Sequence, residues 1–368
     1  MSHKTVVNIG PFHPLQEEAE FYQLYVDGET VVDVDVRISY NHRGIEKLDE
    51  SKTFDQVPFV VERVCGICSA SHPLAYIRAV EDICQCKVPE RAEYLRVIAA
   101  ELNRIASHCI TLGCITMDLG AFTPFVYLLR EREMINDLME ALCGNRLTHN
   151  YLRIGGVMAD VDDDWLGQLG KFLDHFEPVL DEFFDLIVYN EILVRRTADV
   201  AAICGEEAVA FGLVGPNLRA SGVDWDCRRD LGYGVYPQLA FEVPLGTGER
   251  GTVGDCFDRF VVRVREMRQS ARILRQCMQK LPEGDIRAKV PKMIKVPEGE
   301  VYACVEGARG ELGAYLIADG SNKPYRLKWR TGSFAAMSIV EHISRGLMIA
   351  DLVAVIATLD VIAPETDR

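Results

Sequence analysis

No apolar run in this sequence reaches the roughly 18 to 20 residues that would cross a bilayer. The first residues, MSHKTVVNIG, also lack the charged-then-apolar layout of a secretory signal. The expectation is a chain that neither spans a membrane nor leaves by the standard route. Basic charge is scarce too: 40 Lys and Arg stand against 55 Asp and Glu, for a formal net charge of −15. That balance argues against nucleic acid as a partner, because phosphates call for a basic surface. There is no dinucleotide-type glycine pattern and no haem motif, so this chain is not expected to bind NAD itself. Internal repeats and low-complexity segments are lacking as well.

What is there reads as globular. The 368 residues are 48% hydrophobic and 26% charged, ordinary for a globular protein and long enough for two packed subdomains. The 12 cysteines are diluted and irregularly spaced, which fits reduced thiols in a reducing cytoplasm better than a disulfide framework.

Along the chain, FYQLYVDGETVVDVDVRIS (21–39) alternates apolar and polar residues on both sides of Asp27-Gly28, a β-hairpin signal. From about Thr53 to Leu142 apolar residues recur at three- and four-residue steps, predicting a bundle of long helices. Two further helical runs follow, Trp165 to Val194 and Asp255 to Gln279, the second with many arginines on its polar face. After Pro291 the β-branched and aromatic residues and glycine turns predict a second sheet, and a closing apolar stretch predicts a buried helix. The expected class is α+β, with an N-terminal β-hairpin region (1–50), a helical-bundle core (51–290), and a C-terminal sheet with a closing helix and tail (291–368).

One motif carries chemistry on its face. In ERVCGIC (62–68) the sulfurs of Cys65 and Cys68 can converge on one soft metal, since Gly66 eases the turn between them. Two ligands rarely hold a metal alone, and no second C-x-x-C exists in the chain. Cys84 and Cys86 point to different faces of a helix and read as small hydrophobes. The adjacent Arg63 and a helix N-terminus would both favour thiolate, making the pair a candidate for redox or persulfide chemistry. His13, in a Gly-Pro loop, and His72 are candidate proton donors; His108, within ELNRIASH, reads as a core histidine. The arginines of 259–275 read as partners for carboxylates of this or a neighbouring chain.

RVCGIC resembles the first cysteine motif of the large subunits of energy-converting, membrane-associated nickel-iron hydrogenases. GPFHPLQEEAEF, YNHRGIEKL, ELNRIASH, TPFVYLLRERE, NYLRIGGV, SGVDWDCRRD, RGELGAYLIADGSNKPYRLKWR and LDVIAPETDR resemble the related catalytic core subunit of respiratory complex I. Together these stretches cover nearly the whole chain. The departures are as informative. Such hydrogenases end in a D-P-C-x-x-C-x-D-R pattern, and in the matching stretch, Asp360 to Arg368, Ile362 and Glu365 stand at the two cysteine positions. Isoleucine cannot ligate, so a four-thiolate nickel-iron centre is not expected, and the chain itself is expected to bind no cofactor. The histidine and tyrosine that hold the quinone headgroup in complex I fall on Glu17 and Gly66, and Glu17 stands where the hydrogenases resemble one another in carrying a proton-transfer glutamate.

The resemblance implies a peripheral subunit on the cytoplasmic side of the membrane, within an ion-translocating respiratory oxidoreductase. Its partners would be a small subunit carrying a 4Fe–4S cluster, further peripheral-arm subunits and a membrane-anchor subunit. Electrons would pass from that cluster to a quinone-like carrier or a sulfane-sulfur acceptor. The candidate site residues are Cys65, Cys68, Glu17, His13, Arg63 and His72. A catalytically silent coupling subunit is the alternative, and a hydrogenase using Asp360 and Glu365 as substitute ligands ranks last, because hard carboxylates suit a nickel–thiolate centre poorly.

Overall fold

Strand pairing begins at Thr5. The computed structural model describes residues 5–13, 16 and 18–368. β1 (Thr5–Ile9), β2 (Phe21–Asp27) and β3 (Thr30–Arg37) form an antiparallel meander in the order β1-β2-β3. The hairpin lies where Asp27-Gly28 predicts it, with Asp27 opposite Thr30 and Gly28 at φ +63°. β1 is an addition to the sequence reading: its run TVVNI is β-branched and completes the free edge of β2. Tyr22, Leu24, Val26, Val31 and Val34 point to one face. They pack with Met337, Val340, Leu352 and Val355 of the C-terminal helices, so the two ends of the chain share one core.

The long helices follow. Ser71–Cys84, Glu90–Asp118 and Phe122–Cys143 form the expected bundle with Cys256–Lys280. Glu90–Asp118 is buried on nearly every side, which explains why its sequence is apolar in more than one stripe. The predicted helix over 165–194 is instead two. Asp163–Phe183, capped by the Asp162 side chain, loosens into a π-turn over Phe184–Val188, and Glu191–Thr197 restarts where the Asn190 side chain accepts from Ile192 N–H. A new cap inside an amphipathic run stops one helix and begins another without breaking the apolar period. Among the described residues, no helix is long and apolar enough to cross a membrane.

The C-terminal sheet is antiparallel, with Gly299–Gly307 and Arg326–Arg330 flanking Gly310–Ala318. Its first hairpin tip drives into the core. A Cβ on Gly310 would lie 2.3 Å from the Gly215 backbone nitrogen, and Gly310 has φ +104°. Only glycine at both places allows that approach, and it carries Arg309 of the tip inward. The large hydrophobic core runs from Ile45 to Trp329 and joins bundle to sheet. A small third cluster holds Cys65, Cys68 and Ile362.

Candidate functional site

The C-x-x-C motif occupies a turn between the short helix Val57–Val61 and the helix that starts at Ser71. Cys65 and Cys68 are buried, their Cα atoms lie 5.4 Å apart, and their sulfurs are joined in a disulfide. The expectation of reduced thiols is corrected for this pair: the turn brings the sulfurs together, and among the described residues no further thiolate faces them. Arg63 does not attend them, since its guanidinium donates to the Phe59 carbonyl at the surface. The helix N-terminus also lies beyond the pair rather than at it.

The tail closes over this turn. The Ile349–Leu359 helix ends at Asp360 in the left-handed conformation, φ +55°, and the chain folds back so that Ile362 packs on both cysteines. Glu365 accepts a hydrogen bond from Ser333 and lies 3.9 Å from His72 Nε2. A nickel-iron centre does not fit this donor set: two positions form a disulfide, one is an isoleucine and one is a carboxyl already engaged.

Burial pushes the Glu365 carboxyl up, with Asp360 adding to the effect and Arg309 and Ser333 opposing it. His72 is fully buried, neither ring nitrogen has a hydrogen-bond partner among the described residues, and its ring meets Trp329 edge-on. Burial, reinforced by Arg309 and Arg43, pulls its pKa down to about 3. Burial therefore favours the neutral form of the His72 ring.

Asp360 is the best-anchored acid here. Arg309 donates to its carboxylate at 2.7 Å and Thr111 at 3.0 Å, with the Arg263 guanidinium at 3.5 Å. Arg309 comes from the sheet's hairpin tip and Arg263 from the arginine-rich helix, two places no local pattern connects.

Around Asp360 lies a narrow cavity of about 60 Å³, walled by Gln16, Glu18, Glu20, Ile67, Thr111, Cys114, Asp118, Ile356, Ala357, Val361 and Ile362. It adjoins an open groove of about 600 Å³ formed by Pro11, Phe12, His13, Gln16, Glu18, Ala19, Asn41 and Pro364. His13 thus lines the groove; Glu17 lies outside the described residues. Glu20, which the sequence reading passed over, accepts a hydrogen bond from Tyr22 and is only 6% exposed. Burial is the chief cause raising its carboxyl to about 7; Tyr22 pulls the other way, and Glu18 and Asp367 add repulsion.

Behind the cavity runs a dense ionic network. Arg219 bridges Glu266 (2.6 Å) and Glu306 (2.8 Å), while Arg228 bridges Asp226 (2.7 Å) and Glu101 (3.2 Å). Tyr236 and Ser270 donate to Glu101, and His108 Nε2 to Glu266, so His108 is buried in the core as expected, although its Nδ1 has no hydrogen-bond partner among the described residues. Burial would raise the Glu101 carboxyl, but Arg104 and Arg228 outweigh it and hold it at about 2. The outer arginines of the same helix pair with neighbouring elements of this chain, as Arg268 with Asp181 and Arg275 with Asp174 and Glu177.

Comparison with known proteins divides along the same seam. The family model described as the respiratory-chain NADH dehydrogenase, 49 Kd subunit, matches residues 118–294 and 288–368. A nickel-dependent hydrogenase model matches residues 43–112, the part that holds the cysteine pair. Among individual relatives, the second D-type component of the NADH-quinone oxidoreductase of Anaeromyxobacter dehalogenans is 51% identical over 100% of this chain and 97% of that protein. The D-type component of the same enzyme from Desulforamulus reducens is 44% identical over 98% of each chain. That of Bacillus anthracis is 40% identical over 100% of this chain and 99% of its own.

Proposed function

This chain belongs to the 49 Kd subunit family of respiratory-chain NADH dehydrogenase, and from that premise we propose that it forms the acceptor site of a membrane-bound, ion-translocating respiratory oxidoreductase. Electrons leave NADH upstream, reach a 4Fe–4S cluster in a neighbouring small subunit, and pass to a quinone-like carrier held against this chain. Further peripheral-arm subunits and a membrane-anchor subunit complete the assembly, on the cytoplasmic side of the membrane. The carrier takes two electrons and two protons to become a quinol.

The observation that carries this reading is the polar cavity opening into the groove between the β1–β2 segment, the cysteine turn and the tail. A groove of that volume suits a ring-sized headgroup, and the carboxyls of Glu18, Glu20 and Asp360 with the hydroxyl of Thr111 offer polar partners. His13, together with Glu17, is proposed to bring protons to it. A walled, polar cavity also favours this reading over a catalytically silent coupling subunit, which needs none. Filling the groove or the cavity tests it: in the intact complex, Ala19→Trp in the groove and Ala357→Trp in the cavity should each lower NADH:quinone reduction at least tenfold while ferricyanide reduction, which bypasses this chain, stays normal. Unchanged quinone reduction in both variants would overturn the proposal.

One observation favours a second reading. The Cys65–Cys68 disulfide flanks Ile67, which lines the cavity. Two electrons and two protons would open it to a dithiol. One thiolate would then take a sulfane sulfur as a persulfide, and the other would attack that persulfide, releasing sulfide and closing the disulfide again. Replacing both cysteines by serine decides the matter: lost polysulfide reduction with near-normal quinone reduction supports the thiol route, and polysulfide reduction at the wild-type rate sinks it.

A further inference from the structure

Four carboxyl groups, those of Glu18, Glu20, Asp118 and Asp360, border the narrow cavity, and they are not alike. The tail acid, Asp360, is pinned by Arg309, Arg263 and Thr111. Glu18 accepts a hydrogen bond from the Ala363 N–H at 2.6 Å. Glu20 forms no ion pair among the described residues. Its Oε2 accepts from the fully buried Tyr22 hydroxyl, which also lies 3.8 Å from the Met337 sulfur. Its Oε1 is buried and has no hydrogen-bond partner among the described residues. Next to it in the wall stands Gln16, whose amide oxygen and nitrogen are both buried and equally without partners. Buried polar atoms left open are uncommon and costly. With Asp360 Oδ2, which is buried without a hydrogen-bond partner among the described residues although the Arg263 guanidinium stands 3.5 Å away, four of them on one cavity wall form a built polar lining.

We infer that Glu20 is a catalytic proton donor to the acceptor reduced in this cavity, with the Gln16 amide as the second polar contact and Tyr22 as the residue that positions Glu20. The inference rests on the proposed reading of the cavity as the acceptor site. In chemical terms, the acceptor takes two electrons from the partner's cluster. The Glu20 O–H bond breaks as an O–H bond forms on the acceptor's carbonyl oxygen, and the second proton comes from solvent through the open groove. The Glu20 carboxylate that remains is held by the Tyr22 hydroxyl until the groove returns its proton. Burial is the chief reason that Glu20 can give a proton near neutrality, and the charged groups around it add to that. Glu18 on its own segment and Asp367 on the tail repel the carboxylate, Asp118 and Asp360 on the facing helices add negative charge to the same cavity, and Arg309 and Arg263 are committed to Asp360.

A donor must be protonated to act, so quinone reduction should fall as pH rises through about 7. The test uses the intact complex, a short-chain quinone and ferricyanide as the bypass acceptor. Glu20→Gln should lower kcat for the quinone by about 100-fold with KM within about twofold, and erase the descending limb of the pH profile. Glu20→Asp should restore part of the rate together with the limb. Tyr22→Phe removes a bond that stabilises the carboxylate, so the limb should move to higher pH, a change that a loss of packing alone would not produce. Persistence of the wild-type limb in Glu20→Gln overturns the inference while leaving the acceptor site intact. If the wild-type complex reduces ferricyanide but no quinone, the underlying reading fails, and the inference with it.

Discussion

Two buried regions of this protein use the same residue types to opposite ends. In the bundle core Glu101 and Glu266 are completely buried, each is met by arginine, and both carboxyls are pulled down. At the cavity and in the neighbouring turns, Glu20, Asp49 and Glu62 are also buried but form no ion pair with an arginine among the described residues. Burial is the chief cause that lifts them, to about 7, 8 and 7 respectively. Burial raises every carboxyl; arginine opposes that and outweighs it at Glu101 and Glu266, but not at Glu306, which burial and the neighbouring Asp226 keep raised beside Arg219. Glu101 and Glu266 are thereby held ionised, while Glu20 on the cavity wall is brought towards neutrality.

The largest expected effect breaks the core side of this contrast. Arg219→Met strips Glu266 and Glu306 of their shared cation, leaving buried charge unpaired, and should destabilise the fold by about 3 to 5 kcal/mol. Thermal inactivation of the assembled complex, or loss of this subunit from it, measures that; wild-type resistance would mean the network contributes little. Next comes a difference in the sign of pH dependence. Glu101, held at about 2, contributes stability that is present above the ordinary carboxylate range and lost as pH falls through 2. Glu20, raised from 4.5 to about 7, binds its proton more tightly when folded. Its stabilisation is therefore full below 4.5 and lost as pH rises through 7, worth about 3 kcal/mol across that window. Glu20→Gln should flatten the decline in stability between pH 5 and pH 8 seen by thermal denaturation, and an unchanged slope would contradict the assignment. The smallest effect sharpens the comparison from outside: Arg275→Ala, at a half-exposed pair with Asp174 and Glu177, should shift stability by less than about 1 kcal/mol.

Local physics made much of the architecture readable. Asp27-Gly28 announced its hairpin, Asp255 caps the helix it precedes, and the β-branched run after Pro291 became a sheet. The same logic failed over 165–194, where Asn190 restarts a helix inside an unbroken apolar period. At the site, the sequence singled out Cys65, Cys68, His13 and the lost donors Ile362 and Glu365. The burial that lowers the pKa of His72 carries no local signal, and the sequence reading passed over Glu20, Gln16, Arg309 and Arg263. Those residues carry no motif: a glutamate among glutamates, an arginine in a hairpin turn and another in an arginine-rich helix look alike until the chain is folded.

The sequence by itself determined that this chain could not build a four-thiolate centre, because ligation needs donor atoms and Ile362 has none. It also determined the family, since nine stretches in order leave little freedom. Only the tertiary structure decided which acids meet arginine and which do not. Arg309 reaches Asp360 because two glycines let a hairpin tip touch the Gly215–Ala220 helix, whereas among the described residues the Glu20 carboxyl has only the Tyr22 hydroxyl as a hydrogen-bond partner. A carboxyl's charge is set by its solvent and its neighbours in space, and neither is written in the order of the residues.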